Sequence, residues 1–359
     1  AAGVRKLKTV EDAYASGTSE LLLNGNRTVE LLTQRLIDVE VAPLSVALSE
    51  GNPFTSINLS YNELNAGAAE SIGTLLKSDT TLAVLDLAQN DLGPEAANTL
   101  CSVLKDNKSL RELSLSGNKI GGNGGMDIAE MLQVNTSLQR LHLANCELTT
   151  ESLVALATVL RENDTLQALD VSRPLTKTIM DEPAQHFARM LKMNSSLVDL
   201  DLSKSGLRDL GMYLLCDELC RAGPSSALMV LRLKCNKIQL VEPDCVMALS
   251  TLLQADACKL TELSLGSNEL RDEGALKLAE MVSGNRSLRV LDVTSNSLMS
   301  RGLCALARAA REQPLLKQIS LMGNSFDSAA CLAWQSSISS LTLDFDVQIV
   351  DGAYHCVRA

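Results

Sequence analysis

The sequence predicts an α/β solenoid, a stack of strand–turn–helix units bent into a horseshoe with a parallel β-sheet on the concave face and α-helices on the convex face. Three observations lead there. Leu82, Leu85, Leu87, Asn90 and Leu92 occupy positions 1, 4, 6, 9 and 11 of an LxxLxLxxNxL frame. The frame opens again from Phe54 through Leu316 at spacings of 28, 28, 28, 28, 31, 31, 32, 28 and 28 residues, a register that marks stacked units. Beyond each Asn, apolar residues recur at plus 10, 13 and 14, as in Ile72, Leu75 and Leu76 or Leu278, Met281 and Val282.

Each frame predicts a short strand, because alternation sends positions 4 and 6 inward and positions 3, 5 and 7 outward. The Asn at position 9 turns the chain out of the strand, its amide serving backbone groups that lack a ladder partner. The 10, 13, 14 spacing is that of a helix whose apolar face packs on the strand leucines. Small residues at plus 11 (Gly73, Cys101, Ala129, Ala157, Ala279, Ala307) let helix and sheet approach.

A repeat array grows by addition, so 359 residues fit one structural unit. Residues 1–17 read as a polar lead-in and residues 18–53 as an N-terminal capping repeat ending in a long amphipathic stretch from Val29 to Leu48. The repeats fill 54–337. Residues 338–359 form a C-terminal cap, in which Ile338, Leu341 and Leu343 mark a last strand and Phe345, Val347 and Ile349 alternate as an edge strand would. The frame falters at Leu166, Leu169 and Val171, where Pro174 takes the Asn slot. Proline has no N–H and a fixed φ, so the usual turn is expected to fail there and a raised loop to run from Arg173 to Pro183.

The formal charge is −11 without a basic run, which gives phosphate-backbone binding little support. No apolar run reaches 18 residues and the first residues lack a signal-like apolar segment, so a soluble, intracellular protein is expected. Ten scattered cysteines and three histidines distant in sequence read as buried thiols and isolated side chains rather than a metal or catalytic set. No metal, cofactor or small-molecule substrate is expected. GGNGG at Gly121–Gly125 lacks the Lys-Ser/Thr of a phosphate loop and reads as a flexible strand-to-helix connection. The Asn-x-Ser/Thr triplets at Asn107, Asn135, Asn163, Asn194 and Asn285 each stand three residues before a strand-opening Leu. That offset favours a structural role, with Asn ending each helix in a left-handed conformation, over glycosylation.

The candidate protein-binding surface is the concave strand face: Asp86, Glu112, Arg140, His142, Asp170, Asp199, Asp201, Arg232, Lys234, Glu262 and Asp292. Asp170, Asp199 and Asp201 read as an acidic centre, with Arg140 and His142 on one side and Arg232 and Lys234 on the other. Such a surface steers a partner of complementary charge. A second candidate is the irregular loop with Arg173, Pro174, Lys177, Asp181 and Glu182, since long loops on rigid arrays often bind.

The 28-residue period, the full helices and Cys146 in an Asn slot resemble the ribonuclease-inhibitor class of leucine-rich repeats, over about residues 18–343. A narrower resemblance, to one family of leucine-rich-repeat-containing proteins, is carried by LHLANCELTTESLVALATVL (141–160), ALDVSRPL (168–175), GNSFDSAACLAW (323–334) and DVQIVDGAY (346–354). It implies a non-enzymatic adaptor of motile cilia and flagella, with axonemal or radial-spoke proteins as partners. The family also has nucleolar and germ-cell associations. A Ran-type GTPase activator shares the architecture and is the alternative.

Overall fold

The structure is a computed structural model and describes residues 2–25, 35–175, 181–335, 341–350 and 353–358. The chain forms two compact units, Ala1–Thr176 and Lys177–Ala359. The division falls in the irregular connection after Pro174.

The first unit holds α1 (Ala2–Ser16), β1 (Glu20–Leu22), α2 (Asp38–Ser49), β2 (Ser56–Asn58), α3 (Ala66–Ser78), β3 (Val84–Asp86), α4 (Pro94–Leu104), β4 (Glu112–Ser114), α5 (Gly121–Leu132), β5 (Arg140–His142), α6 (Thr150–Val159) and β6 (Ala168–Asp170). The second holds α7 (Asp181–Met193), β7 (Asp199–Asp201), α8 (Asp209–Ala222), β8 (Val230–Arg232), α9 (Pro243–Gln254), β9 (Glu262–Ser264), α10 (Arg271–Gly284), β10 (Val290–Asp292), α11 (Ser300–Glu312), β11 (Gln318–Ser320), α12 (Ser328–Gln335), β12 (Thr342–Leu343), β13 (Phe345–Val350) and β14 (Ala353–Arg358). Within each unit the repeat strands pair in parallel, in chain order and residue for residue, as in Leu85↔Leu113↔Leu141 and Leu231↔Leu263↔Leu291. This is the leucine-rich-repeat solenoid fold the sequence predicts.

Periodicity explains the core. Frame positions 1, 4, 6 and 11 are buried almost throughout, as are the helix positions that face them: Leu82, Leu85, Leu87, Leu92, Leu100 and Leu104 are at most 1% exposed. Each such leucine contributes about 2 kcal/mol by leaving water, and most of its contacts lie in its own or an adjacent repeat.

The turns depend on one residue that the frame does not name. Position 8 has positive φ in all ten repeats: Tyr61, Gln89, Gly117, Asn145, Arg173, Lys204, Cys235, Ser267, Ser295 and Gly323. Most of these are not residues that favour the left-handed region, so the surrounding bonds impose it. Pro174 does not abolish the turn. Arg173 keeps φ 55°, and Leu175 N–H still donates to Leu148 O at 2.9 Å, as Asp91 does to Leu64 O. What proline removes from the slot is the side-chain amide together with its own N–H.

Several other expectations are corrected. The polar lead-in is helical, and Tyr14 packs edge-on against Phe54 with centroids 5.1 Å apart. In the capping repeat α2 is only 12 residues long, while residues 26–34 lie outside the described ones. GGNGG is not a loose connection but the first turn of α5, where Gly125 lets α6 come close: a Cβ there would lie 2.7 Å from Ser152 Cβ. Phe345, Val347 and Ile349 belong to a separate antiparallel hairpin of β13 with β14. Asp344 meanwhile caps the sheet, accepting from Leu321 N and Met322 N at 2.8 and 3.0 Å.

Candidate functional site

The strand face opposite the helices starts from the asparagine ladder behind it. Asn90 Nδ2 donates to Leu87 O of its own repeat at 2.9 Å and to Leu59 O of the preceding one at 3.0 Å, and its Oδ1 accepts from Leu64 N at 3.2 Å. Asn62 and Asn118 do the same in the first unit, and Asn236, Asn268, Asn296 and Asn324 in the second. One buried amide thus pins two strands in register. Three consecutive slots break the series: Cys146, Pro174 and Ser205. Cys146 Sγ still donates to Leu115 O at 3.1 Å, and burial pushes its thiol up to about 12.

A second set of asparagines ties the opposite edge. Asn107, Asn135, Asn163 and Asn285 donate to Leu76 O, Leu104 O, Leu132 O and Leu253 O, each near the end of the preceding repeat's helix, at 2.6–2.9 Å. Their Oδ1 atoms accept the N–H groups that open the next strand. The structural role expected for the Asn-x-Ser/Thr triplets holds, but the conformation differs: Asn285 is extended, at φ −74° and ψ 149°, and none of the five has positive φ.

Position 5 likewise does structural work. Asp86, Asp170, Asp201 and Asp292 each accept the N–H two residues on, from Ala88, Ser172, Ser203 and Thr294, at 2.8–2.9 Å. Asn58 does the same for Ser60. These carboxylates close the strand end, which explains why Asp and Asn recur there.

The remaining charges are paired across strands. In the first unit Glu112 lies 3.9 Å from Arg140 and 3.5 Å from His142 Nε2. In the second, Arg232 bridges Asp199 and Glu262 on either side, the latter at 3.1 Å, while Lys234 reaches across β9 to Asp292. Ser264 and Gly266 leave room for that reach, because a Cβ on Gly266 would lie 2.9 Å from Asp292 Oδ1. Burial works against the Arg232 charge, but its bond to Asp199 and the nearby carboxylates of Asp199, Glu262 and Asp201 outweigh that, and its pKa is raised. Within the second unit Asp199 and Asp201 do not stand as bare negative charge, because Arg232 lies against them. The flanking cations are ordered partners rather than separate patches.

In the loop candidate, Arg173 is exposed and left-handed, Pro174 is half-buried, and Asp181 and Glu182 open α7 with Glu182 exposed. Lys177 lies outside the described residues.

One anchoring group escaped sequence reading. Asp209, 5% exposed at the start of α8, accepts four successive N–H groups from Gln239, Leu240, Val241 and Glu242 at 2.7–3.1 Å. It holds the inserted loop before α9. Asp38 and Asp272 play smaller versions of this part, toward Asn65 N and Met299 N. An acidic residue in the first turn of a helix was the available signal.

Among the described residues no group of three or more His, Cys, Asp or Glu side chains forms a metal site, and no helix is long and apolar enough to cross a membrane.

A family model described as leucine-rich repeat matches residues 78–101, 106–129, 134–157, 256–279 and 284–307. Leucine-rich repeat-containing protein 34 of Mus musculus is 33% identical over 172 residues, 48% of this chain and 40% of that protein. The Homo sapiens protein of the same name is 33% identical over 189 residues, 51% and 39% of the two chains. The matched stretch thus spans about two fifths of the length of these curated relatives. An internalin from Listeria monocytogenes, a solved structure, is 17% identical with a TM-score of 0.42, covering 93% of this chain and 88% of that one.

Proposed function

We propose that this chain is a non-enzymatic protein-binding scaffold of motile cilia or flagella, docking axonemal proteins near the radial-spoke bases on its helix-free strand face. The observation that carries the binding surface is the ion-pair row of the second unit, Asp199–Arg232–Glu262 with Lys234–Asp292. Bonds to the neighbouring strand or the one beyond it hold its charged heads in place, so a partner meets preorganised charge and loses little side-chain freedom there on docking. The similarity to leucine-rich repeat-containing protein 34 supports the ciliary setting, through the resemblance read in the sequence.

Crosslinking of isolated cilia through Lys234 tests this reading. Joining to an axonemal neighbour is the expected result. Recovery of Lys234 unlinked within intact axonemes, or stimulation of a Ran-type GTPase by the purified chain, would replace it.

A further inference from the structure

At the junction of α8 and α9 the asparagine tie is missing. The repeats opening at Leu110, Leu138, Leu166 and Leu288 each have a buried or half-buried Asn three residues earlier that bonds to the preceding helix. Before Leu260 that slot holds Ala257. An apolar cavity of about 140 Å³ lies there, lined by Leu219, Leu228, Ala257 and two thiols, Cys220 of α8 and Cys258 of the segment entering β9. Leu219 holds the place in its repeat that Leu76 and Leu104 hold in theirs.

The two thiols line the same cavity, and Cys258 lies near enough to Cys220 to act on its charge. Both are half-buried, whereas Cys216 and Cys245 in the same helix interface are sealed from solvent. Lys259, whose Nζ donates to Pro224 O at 2.9 Å, lines the same cavity.

We propose that Cys220 and Cys258 form a dithiol modification site, which a peroxide closes to an intramolecular disulfide, supplying covalently the tie that Ala257 omits. In the first step the Cys258 sulfur attacks hydrogen peroxide, the O–O bond breaks, and the thiol proton leaves with the departing oxygen as water, giving the sulfenic acid. In the second, the Cys220 sulfur attacks the Cys258 sulfur. The S–O bond breaks, and the released hydroxide takes the Cys220 proton as a second water. Two thiols are oxidised, and one peroxide is reduced to two waters. Burial, and then Asp217, push the Cys220 thiol up, which disfavours it as the sulfur that meets peroxide first.

The test treats the full reduced chain with hydrogen peroxide, blocks remaining thiols with N-ethylmaleimide and maps the peptides by mass. The expected product is one Cys220–Cys258 linked species, lighter by two hydrogens, reopened by dithiothreitol and absent from Cys258→Ser. An unchanged thermal melt of that variant excludes loss of fold as the cause. The exposed Cys235 is the reference for oxidation without this crosslink. Independent oxidation of the two thiols to sulfinic acids overturns the proposal, as does their full alkylation under conditions that oxidise Cys235.

Discussion

The frames tied by Asn62, Asn90 and Asn118 and the three that follow, with Cys146, Pro174 and Ser205 in the same slot, share strands, helices and a left-handed position 8. They differ in the side chain at the ladder slot, and the two compact units divide among the second group. Leucines alone therefore suffice to build each coil. The amide adds a fixed register between one coil and the next, because it is a buried group with donors for two carbonyls and an acceptor for a third partner. A thiol meets part of that demand and proline none of it.

The largest effect should come from breaking the ladder where it is complete. Asn118→Ala removes one of the two side-chain donors on Leu87 O and on Leu115 O, which keep Asn90 and Cys146, and leaves Leu92 N without its partner; it should cost about 4 kcal/mol, whereas Cys146→Ala, losing a weak donor, should cost about 1 kcal/mol. Urea titrations followed by circular dichroism compare the two. Equal losses would mean the amide has no special part. In the second unit, Asp209→Ala should cost about 3 kcal/mol, with amide exchange accelerating first at residues 239–242. Exchange that rises evenly over the unit would refute the anchoring role.

A smaller gain is expected where a tie is restored. Ala257→Asn should raise stability by about 1 kcal/mol by donating to the end of α8 and filling the cavity beside it; a lower midpoint would show that the slot no longer faces that carbonyl. The smallest effect is a pH dependence. Asp327 at the start of α12 accepts from Ala330 N and Ser300 Oγ, both at 2.8 Å, which lowers its pKa below the ordinary 3.8. The folded state therefore binds this proton less readily than the unfolded one, and the contribution is fully present above pH about 4. It should fade as pH falls through the lowered folded value, read as exchange in the first turn of α12, and Asp327→Asn should flatten that profile.

Much of the fold was legible because burial repeats with the period of the backbone: positions 1, 4, 6, 9 and 11 declare themselves. Position 8 did not, since its left-handed φ is imposed by neighbouring bonds and accepts Tyr, Arg or Cys. The strand-face residues could be assigned to a face by alternation, but their pairing could not. Whether Arg232 stands free or between Asp199 and Glu262 depends on register between strands more than 30 residues apart in the chain. Asp209 was missed for the same reason, as its four partners belong to the next repeat.

The most direct test of the account is co-sedimentation of the chain with isolated axonemal doublets, comparing the wild type with an Arg232→Glu, Lys234→Glu double variant of equal stability. The account predicts that the wild type pellets with the doublets and that the variant's affinity falls about tenfold or more. Equal pelleting of the two, or none by either, would contradict it.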